Sequence, residues 1–442
     1  MANGSGEMEI RVDSPEQEIE KPLLSKHNTP SPGSEEDAEI DPGLRRLGKM
    51  LLFLGIDHST TLKTVFGYLL FVALGIAVPA ATLWANAYKD CLKIEVTKFE
   101  VMIQISGSCL GAVSMACMAH NIRKYGLRRF LFVEVHHPLV RFRYNFKSQV
   151  RESFSLLKWI IFPCFVVKVI REVLRIIHLH EGSWWNTAAI LIAILISWLY
   201  LTTVFLSGCV LFNLVCKLQI VHVEDFAKLL EGTSDVSIFL KEHMYLRFQL
   251  YKISHRFRMY LLLAFLVVTA SQFMTLFETT YYSGTITFIN AGDFLVSSAV
   301  QLVGTVLCLR AAAKTTHRAQ RIASIASQWH ALATCNTYES KDEANGNGPV
   351  RDESPIYSLL VADYESDFDS SEDLTLAADS HFASDVASYH KRQALVMYFQ
   401  FNQAGITIFG LAVDRALMIT LLFIEMSLIL WVLGKTIVAN TK

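Results

Sequence analysis

The sequence predicts an all-α membrane protein with seven transmembrane helices, a cytoplasmic N-terminus and a C-terminus on the outside. Three observations lead to this fold. Of the 442 residues, 52% are hydrophobic and only 18% are charged, whereas soluble domains usually carry about 25% charged residues. The apolar residues are gathered into blocks of about 20, the length with which a helix crosses a bilayer. Finally, Lys and Arg are concentrated in alternate loops.

Seven apolar segments are candidate helices, and they cover residues 64–85, 101–119, 155–174, 188–215, 259–282, 291–312 and 404–434. The third segment is the weakest because it contains Lys158, Lys168, Arg171 and Glu172. Charged side chains inside a membrane almost always face protein or water. Lys168 therefore predicts that the third helix turns one face away from lipid.

The loop charges predict the orientation. Loops on one side of the predicted membrane contain 27 Lys and Arg, and loops on the other side contain seven. Without the long segment 310–403 the ratio is still 19 to seven. Cytoplasmic loops carry the excess of positive charge. The first set of loops, and with it the N-terminus, is therefore expected in the cytoplasm.

The chain divides into four parts along its length. Residues 1–43 are rich in Glu, Ser, Pro and Gly and predict a disordered cytoplasmic tail. Residues 44–335 contain helices one to six, joined by basic cytoplasmic loops with helical periodicity. Residues 336–388 predict a disordered acidic cytoplasmic loop, and residues 389–442 a re-entry segment followed by a pore-type helix. The basic loops are interpreted as helices extended into a cytoplasmic bundle; the alternative is loose loops held on anionic lipid.

The residues that usually carry enzyme chemistry are not arranged for it. None of the eight cysteines forms a CxxC pair, and six of them lie within the apolar segments or directly after one, which argues against a disulfide framework or a zinc site. The sequence lacks a Walker loop, a Gly-x-Ser-x-Gly motif and a His-Glu-x-x-His motif. We therefore expect no enzyme activity, no metal site, no cofactor and no nucleic-acid partner.

The last apolar segment carries a recognisable motif, "AGITIFGLAVDRALMITLLFIEMSLILWVL", at residues 404–433. It resembles the C-terminal signature of insect gustatory and odorant receptors, with the pattern carried by Gly405, Phe409, Gly410, Asp414, Arg415 and Leu417. The chain as a whole is similar to a plant seven-transmembrane family of unknown function regarded as gustatory-receptor-like. The resemblance implies a homotetrameric, ligand-gated channel for monovalent or divalent cations, in which the seventh helix lines the pore and cytoplasmic helices hold the tetramer together.

One face of the seventh helix is the candidate pore lining. At ~3.6 residues per turn this stripe consists of Asp414, Met418, Leu421, Glu425, Leu428 and Val432. Rings of carboxylates select cations, and apolar layers gate by dewetting. The alternative is structural, with Asp414 and Arg415 at the membrane interface and Glu425 paired with Lys168 or with another helix.

A candidate ligand pocket lies in the outer halves of the second to fifth helices. Its residues are Gln104, Phe165, Trp198, Gln272, Phe273 and Phe277. A mostly apolar pocket with a few amides suits a small organic ligand; ordinary helix packing explains the same aromatic residues. Asp293, beside the loop between the fifth and sixth helices, is interpreted as a solvated loop end.

Three functions follow from these patterns. The first is a receptor-like cation channel. The second is a secondary transporter of a small organic solute, although such transporters usually contain an internal repeat and the sequence has none. The third is a non-conducting membrane scaffold. In each case the lipid bilayer is the partner, and the plasma membrane is expected in preference to an internal membrane.

Overall fold

The chain is a multi-pass, all-α integral membrane protein. The structure is a computed structural model, and it describes residues 33–58, 60–87, 94–131, 140–179, 184–232, 236–281, 288–339 and 385–440. The helices are α1 (Gly33–Phe53), α2 (Thr61–Phe71), α3 (Val78–Ala87), α4 (Ile94–Tyr125), α5 (Leu127–Leu131), α6 (Val140–Leu179), α7 (Trp184–Gly232), α8 (Val236–Tyr281), α9 (Phe288–Glu339), α10 (Asp385–Phe401) and α11 (Arg415–Asn440).

Six helical segments are long and apolar enough to cross a membrane. They are Thr61–Trp84, Glu100–Tyr125, Thr187–Ala227, Val236–Phe277, Gly292–Ala331 and Arg415–Val432. Each one overlaps a segment predicted from the sequence. The third predicted segment lies inside α6, which is not among the six because its charged residues interrupt the apolar stretch.

A π-helical turn joins α2 to α3 within the first of these segments, at Val72–Ala77. Such a turn alters the regular pairing of backbone groups, and inside a membrane each polar group needs a partner. Two serines of neighbouring helices supply partners. Ser197 Oγ donates to the carbonyl of Leu74 at 2.6 Å, and Ser108 Oγ donates to the carbonyl of Gly75 at 2.9 Å. The turn is thereby tied to α7 and α4.

The core of the bundle is centred on α7. This helix packs against α4, α6 and α9. From Leu199 to Ala227 each of its residues is buried or half-buried. α10 packs on α8 and α9, and α11 packs on the same two helices at the edge of the bundle. Consequently α11 has one face against its own chain and one face that is exposed among the described residues.

Where the structure describes them, the basic loops are helical, as the sequence predicted. α7, α8 and α9 contain 49, 46 and 52 residues, which corresponds to about 70 Å at 1.5 Å per residue. A bilayer core is only about 30 Å thick. These helices are therefore much longer than a bilayer core is thick, and their far ends pack together, with Phe239 of α8 against Trp329 of α9.

Three predicted boundaries differ from the structure. Residues 33–43, assigned to the disordered tail, form the start of α1. Helices α9 and α10 reach into the predicted disordered loop, up to Glu339 and from Asp385. Residues 1–32 and 340–384, with the rest of both predictions, lie outside the described residues.

The last predicted span also begins later than expected. Residues 404–414 are not helical, because a two-stranded hairpin (β1, Thr407–Ile408; β2, Leu411–Ala412) precedes α11. Its turn places Phe409 at φ 49° and Gly410 at φ 87°. Two successive positive φ values are typical of the tight turns that match the twist of paired strands, and glycine favours this conformation.

Candidate functional site

Four charged side chains of α6 create the most unusual feature of the bundle. Lys168, Arg171, Glu172 and Arg175 are spaced so that they lie on one helical face. The first three are nearly inaccessible, with exposed fractions of 4%, 1% and 2%. The opposite face of the same helix is apolar and exposed, with Trp159 at 79% and Phe162 at 70%. α6 therefore turns its charges inward and its apolar residues outward.

Two carboxylates from other helices complete this group. Glu100 comes from the first turns of α4 and Asp293 from the first turns of α9, and Lys168 contacts Asp293 directly. We call the six residues the charged cluster: Glu100, Lys168, Arg171, Glu172, Arg175 and Asp293. Three positive and three negative groups make it electrically balanced.

Arg171 is at the centre of the charged cluster. Its Nη2 donates to Glu100 Oε1 at 2.7 Å, and its Nη1 donates to Glu172 Oε1 at 2.6 Å. Arg175 Nη2 lies 3.0 Å from the other oxygen of Glu100, and Lys168 Nζ lies 3.0 Å from Glu172 Oε1. Burying an isolated charge is very costly, whereas a charge with several opposite partners is tolerated. The pairing explains how these groups stay inside the bundle.

Two small cavities lie against the charged cluster. One, of about 40 Å³, is bordered by the cluster and by Thr82 of α3 and Ser197 of α7. The other, of about 50 Å³, is bordered by Trp198, Thr202 and Gln301. Gln104, Lys168 and Asp293 line both. Each cavity has room for water molecules, but both are smaller than the ~300 Å³ of a typical ligand pocket.

Four of the six residues predicted for a ligand pocket lie at these cavities or next to them. Gln104 lines both cavities, and its Nε2 is buried with no hydrogen-bond partner among the described residues. Trp198 lines the second cavity and stacks on Phe165, with ring centroids 6.4 Å apart. Gln272 is buried, and its Nε2 donates to Gln301 at 3.4 Å.

The other two predicted pocket residues lie elsewhere. Phe273 and Phe277 have exposed fractions of 51% and 67%, so they face outward from the bundle. Their position in the outer half of the fifth predicted helix placed them at the pocket, but the rotation of α8 turns their side chains away from it. Sequence reasoning also missed Glu100 and misplaced Asp293, which is half-buried in an ion pair with Lys168 instead of being a solvated loop end. The spacing of the four charges on α6 was the available signal.

The stripe predicted to line a pore faces its own chain. Glu425 and Val432 have exposed fractions of 5% and 1%, and Met418 and Leu421 pack against the core. Leu428 is half-buried and Asp414 is exposed. α11 packs on α8 and α9, so most of this stripe lies against those helices within the subunit.

Each acidic residue of this stripe has a local partner. Asp414 Oδ1 accepts a hydrogen bond from the backbone N–H of Leu417 at 2.8 Å, so Asp414 caps the N-terminus of α11. Glu425 Oε1 accepts a hydrogen bond from Thr269 Oγ1 of α8 at 2.7 Å. This arrangement agrees with the structural alternative of pairing with another helix, although the partner is Thr269 and not Lys168.

The residues of the C-terminal motif hold the hairpin on the bundle. Ile406 N–H donates to Thr316 Oγ1, and Thr407 N–H donates to Ser254 Oγ, both at 3.0 Å. A Cβ atom on Gly405 would lie 2.9 Å from Thr316 Cγ2, so the backbone approaches α9 as closely as only glycine permits. The motif therefore fixes the position at which α11 starts.

Comparison with known proteins places the chain in a family. No curated protein matches it. Among solved structures it is similar to the insect olfactory receptor OR5 from Machilis hrabei, with 10% sequence identity, a TM-score of 0.46, and coverage of 89% of this chain and 98% of that chain. A family model described as "Protein of unknown function (DUF3537)" matches residues 42–424. Because this match covers most of the sequence, the chain belongs to the DUF3537 family.

Proposed function

We propose that this protein is a receptor-like membrane protein that assembles as a homotetramer and conducts cations when a small ligand binds. The charged cluster beside the two cavities carries this proposal. Ionised residues inside membrane helices are rare and costly, and they usually mark binding sites or ion pathways. Here six of them surround a space that also contains the unpaired amide of Gln104.

The ligand expected at this site is small and polar. A polar group of the ligand would accept a hydrogen bond from Gln104 Nε2 and compete for Lys168, which lines both cavities. The cavities hold only a few water molecules in this conformation, so a ligand has to widen them. A ligand that binds a wider state more tightly shifts the population toward that state, and this provides a mechanism for gating.

The exposed face of α11 is the proposed pore lining, in place of the stripe that packs on the bundle. It presents the hydroxyl groups of Thr420 and Ser427 between the apolar side chains of Ile419, Phe423 and Leu430. Four such faces around an axis would alternate polar and apolar layers, and apolar constrictions gate by dewetting. Asp414 stays exposed at the start of α11, so four copies would form an acidic ring at one pore entrance.

The proposed topology has seven crossings, with α6 as the third. This helix has 40 residues, or about 60 Å, which exceeds the thickness of a bilayer core. Its charges from Lys168 to Arg175 are paired inside the bundle, and the exposed face at Trp159 and Phe162 is apolar. Lys158 is exposed near the start of the predicted segment, where a lysine side chain reaches the membrane interface. An odd number of crossings puts the two ends on opposite sides of the membrane. The excess of Lys and Arg in alternate loops then assigns the N-terminus to the cytoplasm and the C-terminus to the outside of the plasma membrane.

Cysteine scanning of α11 tests the channel. In a conducting tetramer, Ser427→Cys is expected to form disulfides between subunits and to make the current sensitive to a thiol reagent in planar bilayers. Leu421→Cys, on the covered face, is the matched control and should do neither. The parent chain is measured alongside, because its natural cysteines set the background of disulfide formation and thiol sensitivity. A monomer in detergent and in nanodiscs, with no conductance, would contradict the proposal.

Epitope tags at the two ends test the topology. We expect an N-terminal tag to react with antibody only after permeabilisation and a C-terminal tag to react on intact cells. If both tags react only after permeabilisation, α6 does not cross and the number of crossings is even.

A secondary transporter is the second candidate, because three carboxylates and three cations surround the cavity that Glu100 and Asp293 border. Chains of ionisable residues within membrane helices also serve as proton relays. In that case a monomer would support uptake of a solute into vesicles driven by a proton gradient, without conductance. Substitution of Asp293 by Asn would then abolish the dependence of uptake on the gradient.

A further inference from the structure

A second, larger cavity lies between α4 and α8, at the opposite end of the apolar part of α4 from Glu100. Its volume is about 290 Å³, close to the ~300 Å³ at which small-molecule sites begin. Five basic side chains line it, and we call it the basic cavity: His120, Lys124, His255, Arg256 and Arg258.

The charge of the basic cavity is unbalanced. Within the part of the chain that the structure describes, no carboxylate lines it. His120, Lys124 and His255 are exposed, and none of these three has an ion pair with a described residue. The positive charge is therefore available to an external anion.

The cavity is also held in shape by contacts that do not use its exposed cations. Arg256 Nη1 donates to the carbonyl of Arg129 at 2.9 Å, and the guanidinium lies 4.2 Å from the ring centroid of Tyr125. Asn121 Nδ2 donates to the carbonyl of Arg256 at 3.0 Å, which joins α4 to α8 at this level. A site whose walls are fixed in advance binds a ligand with less loss of entropy.

The position of the cavity corresponds to a membrane boundary. The apolar run "MYLLLAFLVV" of α8 begins at Met259, which lines the cavity, and the apolar segment of α4 ends at Tyr125. Ala116 and Cys117 add an apolar wall on the membrane side. The excess of Lys and Arg in the adjoining loops indicates the cytoplasmic leaflet, where anionic lipids are concentrated.

We infer that the basic cavity binds the phosphorylated headgroup of an anionic membrane lipid. Phosphate groups accept charge-assisted hydrogen bonds from Lys, Arg and protonated His, and basic pockets between transmembrane helices on the cytoplasmic side bind such headgroups. The acyl chains lie along the apolar start of α8. This inference does not depend on ion conduction or on the ligand proposed for the charged cluster.

The test measures binding to the purified full chain by native mass spectrometry and thermal unfolding. The probes are short-chain phosphatidylinositol bisphosphate, short-chain phosphatidylcholine and soluble inositol trisphosphate. The bisphosphate lipid is expected to raise the unfolding temperature, because binding to the folded state alone stabilises it. Phosphatidylcholine should have no effect, and the soluble headgroup should bind at least about tenfold more weakly, since it lacks the acyl chains.

The double variant His120→Gln, Lys124→Gln removes an exposed cation and an exposed imidazole without touching Arg256 or Asn121. It is expected to raise the dissociation constant for the bisphosphate lipid by roughly tenfold or more. Arg151→Gln, an exposed cation of α6, is the matched control and should leave binding unchanged. Equal binding of the lipid and the soluble headgroup would overturn the lipid as the source of the phosphate. The site would be overturned if the bisphosphate lipid did not bind. It would also be overturned if the double variant and Arg151→Gln lost the same amount of affinity for that lipid.

Discussion

The charged cluster and the basic cavity use the same kinds of side chain in opposite ways. In the charged cluster, Arg171 is buried and its charge is matched by carboxylates of the same chain at 2.6 and 2.7 Å. In the basic cavity, Lys124 is exposed and no carboxylate of the described residues lines the space around it. The first arrangement satisfies its own charges, so it contributes to the fold. The second leaves charge unmatched, so it needs a partner from outside.

The largest expected effect comes from breaking the charged cluster. Arg171→Met leaves Glu100 and Glu172 buried with one cation fewer, and loss of one partner from a buried ion pair costs about 3–5 kcal/mol. We expect a large fall in the unfolding temperature, or loss of the folded protein, in detergent. Arg151→Met, on the exposed part of the same helix, should behave like the parent chain. A cost below about 1 kcal/mol would mean that the cluster is hydrated like a surface pair.

Replacing both members of one ion pair, Lys168 and Asp293, tests whether the charges of the cluster stabilise each other. Lys168→Met and Asp293→Leu should each destabilise the protein, whereas the combined variant should lose less than the sum. The reason is that neither charge is then left alone, and directly contacting pairs usually show coupling of about 0.5–3 kcal/mol. Thermal unfolding of the four proteins in the cycle measures the coupling. Additive losses would show that Lys168 and Asp293 act independently despite their contact.

An intermediate effect is expected at Glu425, which belongs to neither region. Because Gln retains an oxygen that accepts from Thr269, Glu425→Gln should keep most of the stability and leave any cation selectivity unchanged. Thr269→Val removes the hydrogen bond and should cost about 1 kcal/mol. Thermal unfolding and reversal potentials of both variants check this. If Glu425→Gln reduced the cation selectivity and left the stability intact, Glu425 would have to line the pore.

The smallest effect on stability is expected in the basic cavity. Without anionic lipid, Lys124→Gln should change the free energy of unfolding by no more than about 0.5 kcal/mol, as exposed positions usually do. With short-chain phosphatidylinositol bisphosphate present, the variant should become less stable than the parent chain. The measurement is the unfolding temperature as a function of lipid concentration. A loss of stability without lipid would show that Lys124 has a structural partner inside the chain.

The sequence by itself determined the class and most of the layout. Apolar blocks of the right length and their charged flanks predicted six segments that the structure contains as long helices. Continued periodicity predicted that α7, α8 and α9 extend beyond those blocks. These features could be predicted because a bilayer imposes length, hydrophobicity and helical structure locally, residue by residue.

Only the tertiary structure decided which face of each helix meets which neighbour. A stripe on α11 that contains two acids is equally suited to a pore and to a covered contact until the position of α8 is known, and Thr269 shows that it is covered. Asp293 was unremarkable in its own segment, because its partner Lys168 lies 125 residues away. Rotations of helices and pairings across the bundle depend on the packing of all the helices together, so no local pattern contains them.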